Sequence, residues 1–139
     1  MNLSEVALEN LPNVPGSGSR AEFPRSARLL RHTDFERVYK QGKRYFAAHM
    51  TVFYFRRVKG SGPRVGFTVG KVLGTAVERN RVRRRLREAV RLHRRELDVP
   101  VDVVINPKKS ALQAEFLALG SDIVRAFEAI GKSTRGETP

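Results

Sequence analysis

Arginine supplies most of the chemistry available to this chain. Between positions 79 and 95 stand nine arginines (79, 81, 83, 84, 85, 87, 91, 94 and 95) against one acid, Glu88. A guanidinium stays charged at neutral pH, and its planar fork grips phosphate oxygens in pairs and stacks on bases. Such a density of these groups suits a polyanion, and nucleic acid is the first candidate. The run is also periodic. In GTAVERNRVRRRLREAVRLHRR (74–95) and just beyond, Val77, Val82, Leu86, Ala89, Val90 and Leu97 recur at helical spacing. On a wheel of about 100° per residue, Val82, Leu86, Ala89, Val90, His93 and Leu97 fall in one apolar arc. Asn80, Arg84, Arg87 and Arg91 form a stripe beside it, and Arg81, Arg85 and Arg95 form another flank with Glu88. Like charges at these spacings weaken an isolated helix, a cost that favours binding over mere solubility. Lys71 stands just before the helix. Gly74, Thr75 and Ala76 lead in without bulk, so backbone N–H groups at the positive end of the dipole can approach a phosphate.

Other chemistries find little support. His32, His49 and His93 are scattered, and none has a metal-ligand spacing with another histidine or an acid. The acids form no paired-carboxylate cluster suited to two-metal hydrolysis. No nucleophile-elbow, Walker or dinucleotide motif is present. The absence of cysteine excludes disulfides and thiolate metal sites. No catalytic residue and no metal ligand is therefore expected on the polypeptide.

The elements that must position the arginines follow from the remaining pattern. Thr33 is a candidate N-cap, with Glu36 completing a capping box, for a helix over 34–40 that ends at Gly42. Residues 45–57, rich in aromatic and β-branched types, predict a strand that can also break in two. Along it Tyr45, His49, Thr51, Phe53 and Phe55 take one face, and Phe46, Met50, Val52 and Tyr54 the other. Both faces are aromatic, so one suits a core and the other either a core or a stacking platform for unpaired bases. Turn residues 60–63 lead to a second strand at 64–70, and the arginine helix follows at about 75–96. A third strand spans 101–106, closed by Pro107, and Ser110 caps a last helix over 111–130 ended by Gly131. The predicted order is α-β-β(-β)-α-β-α, an α+β domain over residues 25–130. A flexible extension over 1–24, with a possible helical turn at 4–10, and a loose tail over 131–139 flank it.

Length and composition agree with one compact domain. The 139 residues are 40% hydrophobic, enough for a core, and carry a net charge of +13 with a pI near 11.2. A field of that strength draws in phosphate backbones. Anionic membrane is the competing partner, but no apolar run approaches the ~20 residues a spanning helix needs. The N-terminal residues lack the pattern of a secretory signal, and the expected location is the cytoplasm. Two readings fit this profile: a structural RNA binder of the ribosomal kind, and a DNA-binding module. The last is disfavoured because arginine flanks the helix on several sides.

The residue order narrows the choice. RVGFTVGKVLGTAVERNRVRRRLRE (64–88) resembles the signature of the bacterial ribonuclease P protein family, in which a strand ending in lysine precedes the RNR motif. Lys71, Gly74, Ala76, Val77, Arg79, Asn80, Arg81, Val82, Arg83, Arg84, Leu86, Arg87 and Glu88 stand in that order. RLLRHTDFERVYKQG (28–42) resembles the family's first helix and DVVINPK (102–108) its last strand. The resemblance implies a small α/β sandwich with a left-handed βαβ crossover through the arginine helix, against the right-handed rule that about 98% of such connections follow. It implies the protein subunit of a ribozyme holoenzyme that removes the 5′ leader of precursor tRNA, with Mg²⁺ bound chiefly by the catalytic RNA and a 1:1 protein–RNA pairing. By resemblance, Lys71, Arg79, Asn80, Arg81, Arg83, Arg84, Arg87 and Arg91 hold the catalytic RNA. Phe35, Tyr39 and Phe53 line a cleft for the leader. Tyr39 stands where the family often has phenylalanine, and Arg83 where it often has lysine.

Overall fold

The computed structural model of the chain describes residues 25–29 and 31–135. The expected N-terminal extension and residues 136–139 of the expected tail lie outside them. Seven elements follow in order: α1 (His32–Gln41), β1 (Lys43–Phe46), β2 (Met50–Arg56), β3 (Arg64–Phe67), α2 (Ala76–His93), β4 (Val101–Pro107) and α3 (Phe116–Arg135). The α+β order is the expected one, and the long first strand is broken into the β1–β2 hairpin. One four-stranded sheet runs β1-β2-β4-β3. β2 pairs antiparallel with both β1 and β4, while β3 and β4 are parallel neighbours joined through α2.

Alternation along the strands builds a sandwich. Val52 and Tyr54 of β2 lie in register with Ile105 and Val103 of β4, which in turn lie beside Phe67 and Val65 of β3, and Met50 of β2 shares their side. All seven are buried, and α3 covers this face with α2 packed along α3. The opposite face carries Phe53, Gly66 and Val104 and is covered by α1. β4 is central, and Val101–Ile105 is buried throughout, as expected of a strand covered on both faces. The backbone of Leu29 donates to the Val65 carbonyl at 3.0 Å and extends the sheet beside β3.

Several boundaries differ from the sequence pattern. α1 starts at His32 after Arg31, which makes no side-chain cap, so Thr33 is already helical and the expected Thr33–Glu36 capping box does not form. Gly42 ends α1 with an extended φ of −83°; its role is close approach. A Cβ there would lie 2.4 Å from the Val38 carbonyl oxygen and 2.5 Å from that of Tyr54. At the other end, Ser110 belongs to a short 3₁₀ turn, and α3 begins at Phe116. α3 then passes through Gly131 instead of stopping there. Thr134 is buried, with its hydroxyl donating to the Ile130 carbonyl at 2.8 Å. Packing outweighs the ~1 kcal/mol that glycine costs inside a helix, and α3 runs on to Arg135, past its expected end at residue 130.

Candidate nucleic-acid interface

α2 is fixed at its start by a capping box. The Glu78 backbone N–H donates to the Thr75 hydroxyl at 3.1 Å, and the Thr75 N–H donates to the Glu78 carboxylate at 2.9 Å. A Cβ on Gly74 would lie 2.6 Å from that carboxylate, so glycine makes room for the fold-back. The Thr75 backbone N–H, and then its hydroxyl, hold the Glu78 carboxyl below its ordinary range. Of the N–H groups expected to be free there, those of Thr75 and Glu78 are taken by the helix's own cap.

Inward, Val82, Leu86, Ala89, Val90 and Leu97 are buried as the wheel predicts. Val77 is not; it is 76% exposed. Five residues before Val82, it stands about 140° round the helix from the core arc. His93 lies at the edge of the arc with Nδ1 2.9 Å from a Glu96 carboxylate oxygen. Of the residues expected to hold RNA, Lys71, Asn80, Arg81 and Arg84 are exposed, and Arg79, Arg87 and Arg91 are partly exposed. Arg83 is the exception, only 3% exposed, donating to the Asn80 side-chain oxygen. It follows Val82 directly and falls at the border of the buried arc, so it braces the helix and orients Asn80. Burial, and then the charge of Arg83, lower the pKa of Arg87. Burial and Arg95 do the same to Arg94. Glu88 does little to relieve this crowding, because it is bound to Arg91, Nε to carboxylate 2.9 Å, which lowers the Glu88 pKa and raises that of Arg91.

The second surface lies between α1 and the sheet. Phe35, expected to line it, is fully buried. A Cβ on Gly66 would lie 2.5 Å from Phe35 Cζ, so the ring occupies the space glycine leaves and packs α1 onto the sheet, beneath the surface and not on it. Tyr39 and Phe53 do meet, edge to face, with centroids 4.8 Å apart at 68°. The Tyr39 hydroxyl donates to Asn106 Oδ1 at 2.8 Å and shares a hydrogen bond of 2.7 Å with Thr68. These bonds pin α1 to the sheet, and burial raises the Tyr39 pKa above its ordinary value. The hairpin register corrects the expected faces of β1. Tyr45 stands opposite Val52 and joins the core side, whereas Phe46 stands opposite Thr51 and joins Phe53. The break between Phe46 and Met50 interrupts the alternation that a single strand would keep. Arg44, opposite Phe53, sets its guanidinium carbon 5.3 Å from the centre of the Phe53 ring. No sequence motif marks that residue; it emerges from the register alone.

A buried ionic cluster that the sequence did not single out ties α1 to β3 and β4. Asp102 has no exposed surface and accepts from Arg57 Nη1 and from Arg64 Nε and Nη2, each at 2.8 Å. Arg64 also reaches Asp34 on α1 at 3.5 Å, and its hydrogen bonds to Asp102 raise its pKa. Among the described residues, no three His, Cys, Asp or Glu side chains converge as a metal site would need. No helix among them is long and apolar enough to cross a membrane.

A mixed sheet sandwiched by helices, one with crowded guanidiniums and another roofing an aromatic cleft, defines a small nucleic-acid-binding domain. The ribonuclease P family model matches residues 23–131, and the chain belongs to that family. It is 40% identical over 100 residues to the ribonuclease P protein component of Finegoldia magna, covering 72% of this chain and 87% of that one. Against the same component of Desulfovibrio desulfuricans it is 45% identical over 93 residues, 66% of this chain and 72% of that one. Among solved structures, a mutant of the Staphylococcus aureus RNase P protein with defective mRNA degradation activity superposes with a TM-score of 0.67 at 25% identity, covering 77% of this chain and 89% of that one. The RNase P protein of Thermotoga maritima gives 0.67 at 23% identity, covering 73% and 96%, and agrees in fold.

Proposed function

We propose that this chain, the RNA-binding subunit of the ribonuclease P endoribonuclease, divides its two surfaces between two RNAs. The exposed flank of α2, with Lys71, Arg79, Asn80, Arg81, Arg84, Arg87 and Arg91, holds the catalytic RNA. Arg83 supports that flank from within. The cleft of Tyr39 and Phe53, with Phe35 packed beneath it, takes the unpaired 5′ leader of precursor tRNA. The observation that carries this division is their placement, since α1 covers one face of the sheet while α2 and α3 lie on the other. The RNA performs the phosphodiester hydrolysis and holds the Mg²⁺; on the polypeptide, Asp102 and Glu88 are engaged by arginines, Glu96 by His93 and Glu78 by the α2 cap. The protein's share is to bind, to orient the leader and to lower the local negative charge against which substrate and Mg²⁺ must assemble. One protein pairs with one RNA, in the cytoplasm.

The test is RNA binding as a function of salt. A charge-assisted hydrogen bond is worth about 1.5–3 kcal/mol, so Arg79→Ala or Arg84→Ala weakens catalytic-RNA binding by about tenfold or more. Each lost phosphate contact also flattens the slope of log K against log salt by about 0.9. Phe53→Ala lowers affinity for precursor and leaves mature tRNA nearly unchanged. Unaltered affinity in both arginine variants overturns the α2 assignment, and equal loss for precursor and mature tRNA returns Phe53 to the core.

A further inference from the structure

The β1–β2 register carries the aromatic cleft beyond Phe53. Residues directly opposite in an antiparallel pair point to the same side of the sheet. Arg44 and Phe46 of β1, opposite Phe53 and Thr51, therefore share the face that α1 roofs further in over β2 and β4. β1 is the sheet edge. There Arg44 is exposed and Phe46 is 67% exposed, a large ring left in water beside a cation. A chain of net charge +13 with an exposed arginine between two rings is complementary to an unpaired polynucleotide strand.

We propose that Arg44 and Phe46 extend the leader site outward along β1, with Phe46 stacking a second base and Arg44 holding the phosphate between the two. This rests on assigning the cleft to the leader. In the free protein, Tyr39 meets the Phe53 ring edge to face and the Arg44 guanidinium also lies over that ring, so Arg44 acts as a placeholder. When a base takes its position, the guanidinium turns to the adjoining phosphate, exchanging an exposed cation–π contact for a charge-assisted hydrogen bond. Phe53 and Phe46 are diagonal neighbours, a separation of about 7–8 Å. That is roughly twice the ~3.4 Å rise of stacked bases, so the two bases are splayed apart on separate rings.

The experiment uses the holoenzyme and two precursors, one with a long leader and one trimmed to the nucleotides beside the cleavage site. Arg44→Ala and Phe46→Ser are each expected to weaken long-leader binding about five- to tenfold, with the trimmed precursor unaffected. Arg44→Ala also lowers the salt slope for the long leader by about 0.7, whereas Phe46→Ser leaves it unchanged. Arg44→Lys restores the slope. Both residues are exposed, so thermal melts should match the parent. Equal affinities of parent and both variants for the long leader overturn the proposal, as does equal loss on both precursors, which would point to a contact outside the leader. If Phe53→Ala still weakens long-leader binding while Arg44→Ala and Phe46→Ser are silent, only the extension is wrong. If Phe53→Ala is silent as well, the cleft assignment fails with it.

Discussion

Gly66→Ala tests how the cleft is built. The added methyl would meet Phe35 Cζ at 2.5 Å and Cε1 at 2.9 Å, with Leu29 Cβ at 3.2 Å. Carbon atoms pack at about 3.5–4.0 Å, so the Phe35 ring must retreat by about 1 Å. It has no free space to enter, being fully buried between α1 and the sheet, and α1 has to lift. Overpacking of this kind costs about 1–3 kcal/mol. For a domain of this size that lowers the melting temperature by about 4–12 °C. Lifting α1 also strains the Tyr39 bonds to Thr68 and Asn106, so precursor affinity drops while binding of the catalytic RNA to α2 stays unchanged. The assay is a double-mutant cycle by urea denaturation with Phe35→Leu, which removes the ring edge that the methyl strikes. The pair should be at least about 1 kcal/mol more stable than the sum of the single changes predicts. Additivity within about 0.3–0.5 kcal/mol would refute the claim that Phe35 fills the space Gly66 leaves.

Two further outcomes follow from the same structure. Asp102→Asn leaves the guanidiniums of Arg57 and Arg64 without their buried counter-charge and should cost about 3–5 kcal/mol. Urea titration checks this, and a loss below about 0.5 kcal/mol would remove the cluster from the account of stability. The α2 cap should give a pH dependence. The folded pKa of Glu78 lies below its unfolded value, so its contribution is present above the ordinary glutamate value, about 4.3, and is lost as pH falls through the depressed folded value. Glu78→Gln should flatten that acid limb in thermal melts taken at descending pH, and an acid limb identical to the parent's would contradict it.

Much of the fold was legible because burial here follows simple periods. The core residues of α2 lie on one arc, and β4 reads as a continuous apolar run because both its faces are covered. What escaped depends on neighbours distant in sequence. The faces of Tyr45 and Phe46 exchange at the hairpin break, and only the pairing with β2 reveals it. Arg83 looks like its flanking arginines but falls just inside the buried border. Asp102 is one acid in an apolar strand until Arg57 and Arg64 reach it from two other segments. Gly131 failed as a stop signal because α3 is held by its packing past that point. The hand of the β3–α2–β4 crossover has no signature in residue pattern and is an expectation of the family resemblance alone. The site was legible in the same uneven way: residue type and order exposed the arginine helix, while Arg44 needed the register.

The central claim is a division of labour in which the polypeptide grips RNA and the RNA cuts. Its most direct test is precursor-tRNA cleavage at low Mg²⁺, with the protein alone, the catalytic RNA alone and the two together. Leader removal is expected only when both are present. Cleavage by the protein alone would contradict it.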